Sequence, residues 1–387
     1  MRLVRITTVP LSLEKLIAGQ MRYMSEHGFE VLMISSDFAG KEELSIREKS
    51  IFTPVNMTRT ITPLADLAAL VELIKIFRNF KPDIVHTHTP KAGLLGMIAA
   101  KLSRVPIRLH TVAGLPFMET KGLKRALLEM MERLAYRCST CVYPNSHMLK
   151  NYLLKSGIGN DKKVKVIGNG SSNGINVAEF DLTDEIKVKA EHLKVVLGIN
   201  ESDFTFVFVG RLVKQKGVEE LVRAFIHLQR KFNHIKLLLV GGEEARLDPL
   251  SLEIRSQISQ NSSIIAVGYQ HDVRPFLAIS NALAFPSYRE GFPNVPMQAG
   301  CFHLPSIVTD INGCNEIIVN EKNGLIIPAK DISALEKAMD RLVSDPRLYH
   351  KMASVSRRMI VDRYEQSKIW KEILCEYRAH LKNEGTI

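Results

Sequence analysis

The sequence has few cysteines, no long apolar run, no repeat and no glycine-rich dinucleotide fingerprint. Five cysteines in 387 residues form no even framework, so a disulfide-stapled secreted fold is not expected. Cys138 and Cys141 make a C-x-x-C, but without a second pair no zinc site follows, and they read as small core residues. No stretch approaches the ~18 unbroken apolar residues of a spanning helix. The opening "MRLVRITTV" reads as a strand with no cleavable leader, which predicts a cytoplasmic chain. No period of solenoid length and no low-complexity tract is present. No G-x-G-x-x-G follows the first strand, which argues against a nicotinamide-dependent dehydrogenase.

Acidic charge is also short, and unevenly so. The formal net charge is +11, and all of it lies in residues 1–175, which carry 25 Lys and Arg against 14 Asp and Glu, whereas the remainder balances at 27 against 27. The asymmetry points to an anionic partner for the N-terminal half, either a phosphate-bearing membrane surface or a nucleic acid, or else to solubility alone.

What is present is strand-length apolar runs alternating with helical periodicity, the pattern of parallel sheets flanked by helices. A first series comprises "RLVRITTV", "EVLMISSD", "DIVHTHT", "IRLHTVAG", "TCVYPNS" and "KVKVIGNG", with helices over 64–80 and 91–102 between them. A second comprises "FTFVFVGRL", "IKLLLVGG", "IIAVGY", "ALAFPS", "SIVTD" and "NGLIIPA". The length suits two domains, and the Gly- and Asn-rich "GNGSSNGIN" marks the joint. We expect an α/β chain of two doubly wound Rossmann-like domains facing a central cleft. The first spans 1–178 and the second 179–363. An amphipathic helix over 364–387 would pack back on the first. Ligands of open α/β sheets bind at the carboxyl ends of the strands.

Several strand ends carry candidate chemistry. Gly210 and Arg211 close one strand and Lys216 opens the next helix, so glycine permits close approach and two cations can face a diphosphate. Gly242 and Gly268, the latter followed by Tyr269, repeat the strand-then-glycine pattern. In "SYREGFPNVPMQAG", Pro293 suits a helix start. The N–H groups of Asn294 and Val295 would then offer an anion site along the helix dipole. Glu290 precedes that turn, and Gln298 lies one turn inside the helix.

These elements resemble glycosyltransferase family 4, retaining sugar transferases of the GT-B fold. "GRLVKQKG" resembles its Gly-Arg-Leu and Lys-Gly element, and "EGFPNVPMQA" its signature of Glu, seven residues and Glu. "HTHTPKAGLLG", "HTVAGLPF" and "GNGSSNGIN" are similar to segments of the bacterial subgroup that builds lipid-linked glycan precursors. The resemblance implies a nucleotide-sugar donor, a UDP-sugar, and a polyprenyl-diphosphate-linked sugar acceptor, with no nucleic acid, no metal and no other cofactor. It implies that Arg211 and Lys216 hold the diphosphate and that Glu290 holds a donor sugar hydroxyl. Gly291, Phe292, Pro293, Asn294 and Val295 would meet phosphate and sugar, and position 298 the ribose.

The sequence departs from the family at Gln298, where Glu is usual. It departs again at "VPLSLEK", where Gly-Gly is usual, and at Ala113, where His is frequent. His110 is a candidate catalytic substitute or a buried structural histidine. His86, His88, Thr89, Lys91 and Gly114 are expected to line the acceptor side. The helix "KGLKRALLEMMERLAYR" sets Leu123, Leu127, Met130, Met131 and Leu134 beside Lys121, Lys124, Arg125, Arg133 and Arg137. It suits either peripheral contact with the inner face of the cytoplasmic membrane or a core-facing helix. Two alternatives remain: a nucleotide-sugar 2-epimerase of the same architecture, and a catalytically decayed binding protein.

Overall fold

The computed structural model describes residues 1–115, 117, 120–244 and 248–385. By contacts the chain divides into two units: Met1–Gly174 with Gln366–Ile387, and Ile175–Glu365. Each is built on one six-stranded, all-parallel sheet with the strand order of a doubly wound fold.

In the N-terminal unit the order is β3-β2-β1-β4-β5-β6. The strands are β1 (Arg2–Ile6), β2 (Glu30–Ser35), β3 (Ile51–Pro54), β4 (Ile84–His88), β5 (Ile107–Val112) and β6 (Cys141–Pro144). Alternate residues feed opposite faces: Leu3, Val31 and Met33 enter one apolar cluster, and Val4, Leu32 and Ile34 the other. A parallel sheet needs both faces covered. The helix Gln366–Asn383 covers the first, setting Ile369, Ile373, Leu374, Tyr377 and Leu381 into the same cluster as Leu3. The helices Pro63–Phe80 and Pro90–Leu102 cover the second.

"KVKVIGNG" forms no strand, a correction to the reading above. Only Val164 makes an isolated bridge, to Val142. The sixth strand of this sheet is β3, four residues at the edge ending in Pro54. A proline lacks the N–H for further pairing, which suits it to an edge.

In the C-terminal unit the order is β12-β11-β10-β7-β8-β9, and all six strands lie in the runs read from the sequence. They are β7 (Phe204–Val209), β8 (Ile235–Val240), β9 (Ile264–Gly268), β10 (Ala282–Phe285), β11 (Ser306–Thr309) and β12 (Gly324–Ile327). One continuous core serves this unit. The strand order reverses between β7 and β10, and between β1 and β4 in the other unit. Loops leaving adjacent strands on either side of such a point splay apart and open a crevice at their carboxyl ends.

Among the described residues, no helix is long and apolar enough to cross a membrane. The helix Gly122–Cys138 is mounted in an unusual sense. Its buried residues are Glu132, Ala135, Tyr136 and Cys138, whereas Leu123, Leu127, Met130 and Leu134 are exposed. The apolar stripe therefore faces outward, and the core-facing reading of it does not hold.

Candidate functional site

The C-terminal unit gathers its candidates on the loops after β7 and β10. After β7 the chain passes Arg211, makes a single 3-10 turn over Lys214–Lys216, and enters the helix Val218–Gln229 through Gly217. Gly217 has φ +71°, and a Cβ there would fall 2.1 Å from the Pro286 carbonyl oxygen. Glycine is thus required for the β7 and β10 loops to touch. They are then laced together. The Tyr288 amide donates to the Gln215 carbonyl at 2.9 Å, and Arg289 Nη2 donates to Gln215 Oε1 at 2.7 Å.

That contact delivers Lys216 to Glu290. The Lys216 ammonium donates to the Glu290 carboxylate, with side-chain exposures of only 19% and 14%. Lys216 Nζ also stands 5.6 Å from the centre of the Phe285 ring. The Glu290 loop is braced from β11, because Asn312 Nδ2 donates to the Gly291 carbonyl at 2.5 Å and the Glu290 carbonyl at 3.3 Å. An ammonium has three N–H directions, so the bond to Glu290 leaves Lys216 able to donate to an anion as well.

Arg211 lies beside this pair in sequence but is more open. Its guanidinium is 54% exposed and is bonded to the Glu244 carboxylate. Backbone bonds join the neighbouring strand ends. Gly210 N donates to Val240 O, Leu212 N to Gly242 O, and Gly241 N to Gly268 O, at 2.8–2.9 Å. Tyr269, next to Gly268, is exposed, with its ring 5.1 Å from that of His271.

Beyond Glu290 the chain turns through Gly291 and Phe292 into the helix Asn294–Cys301, whose N-cap is Pro293. A proline has no hydroxyl or carboxylate to close the first turn, and no side chain caps it. Asn294 is exposed, and Val295 and Gln298 are half-buried. The Phe292 ring packs at 5.4 Å from that of Tyr364, so at this position the backbone rather than the ring is free for a ligand.

The N-terminal unit distributes its candidates differently. His86 and His88 share a face of β4, ring centres 4.4 Å apart, and both are buried. Arg5 Nη1 donates to the Tyr377 hydroxyl at 2.5 Å, and that hydroxyl is hydrogen-bonded to His86 Nδ1, also at 2.5 Å. His86 Nε2 is hydrogen-bonded to Thr111 Oγ1 at 2.8 Å. Neither ring nitrogen of His88 has a partner. Burial, with further positive groups nearby, pushes both imidazoles well below the usual histidine range.

His110 does not join a reactive group. Its ring lies under Gly93, where a Cβ would fall 2.2 Å from Cε1, and Nδ1 meets Thr87 Oγ1 at 2.8 Å. Burial pushes its pKa down to about 4. This is the packing of a structural histidine, the second of the two readings its sequence position allows.

Lys91 is likewise turned to structural use. It donates to Asp66 at 2.6 Å and to the Thr60 carbonyl, fixing the loop that precedes the helix Pro63–Phe80. Thr89 holds the N-cap position of the helix Pro90–Leu102 without a side-chain capping bond, at φ +76°, an outlier for a β-branched residue. Its hydroxyl bonds that of Thr8 at 2.7 Å. Gly114 lies in the loop after β5, half-buried. Among the described residues no three His, Cys, Asp or Glu side chains are grouped to hold a metal ion.

Sequence reasoning missed Gln215, Glu244 and Asn312, which place the site's loops and charges. Each is a polar residue in a loop whose partner is distant in sequence, so no local pattern marks it. It also missed a cavity of about 360 Å³ between the ends of β1 and β4 and the inner side of the helix Gly122–Cys138.

Residues 189–359 match the family model of glycosyl transferases group 1, and residues 13–170 match that of the glycosyl transferase 4-like domain. The chain is 32% identical over 385 residues, covering 99% of both chains, to the capsular polysaccharide biosynthesis glycosyltransferase CapM of Staphylococcus aureus. It is 29% identical to the Escherichia coli UDP-Gal:alpha-D-GlcNAc-diphosphoundecaprenol alpha-1,3-galactosyltransferase, covering 81% of this chain and 79% of that one. In fold it is similar to the crystal structure of Anabaena HepE in complex with UDP, with a TM-score of 0.82 at 18% identity, covering 98% of this chain and all of the other.

Proposed function

The chain belongs to glycosyltransferase family 4 and is a hexosyltransferase, and on that premise we propose that it moves a hexose from a UDP-sugar to a sugar carried on a polyprenyl diphosphate, in the assembly of a polysaccharide. The observation that carries this reading is the Lys216–Glu290 pair at the switch point of the C-terminal sheet, with Arg211 on the same loop as Lys216. A donor needs cations for two phosphates and an acceptor oxygen for a sugar hydroxyl, and this loop pair supplies both. The E. coli relative takes a UDP-sugar and a diphosphoundecaprenol-linked acceptor, and HepE holds UDP; both support the donor chemistry.

In this mechanism the C-terminal unit binds the donor and the N-terminal unit the acceptor. Lys216 and Arg211 bind the diphosphate, and their charge offsets the charge left on the nucleoside diphosphate as the sugar–oxygen bond breaks. The open start of the helix Asn294–Cys301 adds N–H groups and the favourable end of its dipole. Glu290 accepts a hydrogen bond from the donor sugar, and Gln298 one from the ribose. The acceptor hydroxyl attacks on the face from which the diphosphate departs, so the anomeric configuration is retained. The departing phosphate oxygen takes the hydroxyl proton, which balances the step without a protein base.

The outward apolar stripe of the helix Gly122–Cys138, flanked by Lys121, Lys124, Arg125 and Arg137, suits contact with the anionic leaflet in which such an acceptor resides. A mass-spectrometric assay tests the central reading, using a panel of UDP-sugars with prenyl-diphosphate-linked sugars. Transfer that is lost in Glu290→Ala supports it. No transfer and no donor hydrolysis with any pair overturns it.

A further inference from the structure

We propose that the basic pocket at the C-terminal end of the helix Gly122–Cys138 is a headgroup site for an anionic phospholipid, one whose phosphate diester carries no ammonium of its own. The site deepens the membrane contact proposed above, and its test separates the two.

The pocket encloses about 140 Å³ between that helix and the loop 157–164, which follows the helix His147–Lys155. This is the volume of about five waters at ~30 Å³ each, room for a tetrahedral phosphate and the carbons bonded to it. Three cations line it: Arg133, Arg137 and Lys163. Two of them also build its walls. Arg133 Nη1 donates to the Gly157 carbonyl at 2.7 Å, and Nη2 donates to the Glu129 carboxylate at 2.7 Å, which ties the loop to the helix. Lys163 Nζ donates to the carbonyl of Ser139, the C-cap of the helix, at 2.9 Å, and keeps two further N–H directions. Arg137 has neither use. Among the described residues it has no hydrogen-bond or ion-pair partner.

The charge around the pocket is not balanced. Glu129 is the carboxylate paired with Arg133, the nearby Asp161 is taken by Lys150, and Lys162 adds another exposed positive charge. The dipole at a helix C-terminus favours cations, and Lys163 meets that demand directly. Arg137, lining a pocket with two other cations, is left with like-charge repulsion that a bound anion relieves.

Position along the helix says what kind of anion. Leu123, Leu127, Met130 and Leu134 face outward, and Arg137, exposed and three residues beyond Leu134, continues the same line. A phosphate held by Arg137 therefore has acyl chains attached to it running along Leu134 and Met130. The planar guanidinium fork suits two phosphate oxygens at once. A choline or ethanolamine headgroup brings its own ammonium against three cations, and inorganic phosphate has no acyl chain to set against Leu134. A glycerol-type headgroup meets both conditions.

Calorimetric titrations test this with dihexanoylphosphatidylglycerol, dihexanoylphosphatidylcholine and inorganic phosphate, both lipids being kept below their micelle-forming concentrations so that no membrane is present. Wild-type protein is expected to bind the glycerol lipid at least about tenfold more tightly than either of the others, the worth of one charge-assisted hydrogen bond. Arg137→Ala is expected to remove that advantage, whereas Lys124→Ala, on the same helix but outside the pocket, keeps it. Arg137 is exposed, so urea unfolding of Arg137→Ala should match wild type, which keeps loss of binding distinct from loss of fold. Equal affinity for the two lipids, phosphate bound as tightly as the glycerol lipid, or equal losses in the two variants overturns the proposal. Flotation with vesicles of phosphatidylglycerol and phosphatidylcholine separates the site from the membrane contact. Protein that binds the soluble glycerol lipid without floating keeps the site and removes the membrane contact, and protein that floats without binding any soluble lipid does the reverse.

Discussion

Lys216 and Glu290, 74 residues apart in sequence, are joined by a hydrogen bond between the loops that leave β7 and β10. The bond sets the positive group that would meet phosphate and the negative group that would meet sugar at a fixed spacing. Each orients the other, so the two should fail together. Glu290→Ala and Lys216→Ala are each expected to lower kcat by about 100- to 1,000-fold, the usual effect of removing a preorganised charge. Each should also lower stability by about 2 kcal/mol, as for loss of a partly buried hydrogen bond to a charged group. In a double-mutant cycle the paired variant should lose much less than the sum of the two. Additive losses in kcat would show that the pair does not act as a unit.

Arg211 is half in solvent and bonded to Glu244, so it should contribute to affinity and little to folding. Arg211→Ala is expected to weaken UDP binding by about tenfold, the worth of one charge-assisted hydrogen bond, with the unfolding midpoint unchanged within about 0.5 kcal/mol. Titration calorimetry with UDP and urea unfolding check the two halves. Unchanged UDP affinity would remove Arg211 from the donor site.

Gln298 is the position where the family resemblance expects Glu. A carboxylate accepts from a ribose hydroxyl more strongly than an amide does. Gln298→Glu is therefore expected to tighten UDP binding about three- to tenfold, and to leave binding of 2′,3′-dideoxyuridine diphosphate unchanged. Equal tightening for both ligands would place the residue away from the ribose.

How much of this was legible in the sequence depends on whether a feature is local. All six C-terminal strands could be read because each is an apolar run ending in glycine, proline or a polar turn. The edge strand Ile51–Pro54 could not, because one short edge carries too little apolar pattern. "KVKVIGNG" was over-read because alternating valines and lysines also suit a single bridge. Lys216 and Glu290 stand out through their glycine neighbours, whereas Gln215, Glu244 and Asn312 matter through contacts that no spacing announces. The helix Gly122–Cys138 shows the limit most clearly. Its stripe was visible, but periodicity gives a face without saying which way it points.

That outward face makes a prediction of its own. Met130 is 59% and Leu127 42% exposed, so charging them should not disturb the core. Leu127→Glu with Met130→Glu is expected to abolish co-flotation with vesicles containing anionic lipid while changing stability by less than about 0.5 kcal/mol. Wild-type flotation should fall as salt is raised, since surface charge attraction is screened. Wild-type protein that fails to float with anionic vesicles at low salt would remove the membrane from the account.

The buried histidines set the pH response of the N-terminal unit. His86, His88 and His110 all titrate below the unfolded value of 6.5. As pH falls through 6.5 the unfolded chain takes up protons that the folded chain refuses, so stability is lost on acidification. With its folded value about 4, His110 alone should contribute a loss of about 2 kcal/mol between pH 7 and pH 5, and the other two act in the same direction. Glu132 opposes them. Its folded value is raised to about 7 from 4.5, so the folded state binds the extra proton between those values and gains stability as pH falls. His380, in the same unit and also pushed down by burial, acts with the three histidines, so four groups against one leave a net loss, and Glu132→Gln should steepen it by removing the offset. The single tryptophan reports this unit alone, because Trp370 is held there by its indole N–H donating to Asn173 at 2.7 Å and by the Tyr23 ring at 5.4 Å. Urea midpoints followed by tryptophan fluorescence should therefore fall from pH 7.5 to pH 5, and fall faster in Glu132→Gln. A flat profile would mean that the three imidazoles are reached by water and protonated without unfolding, contrary to the enclosure seen at β4 and β5.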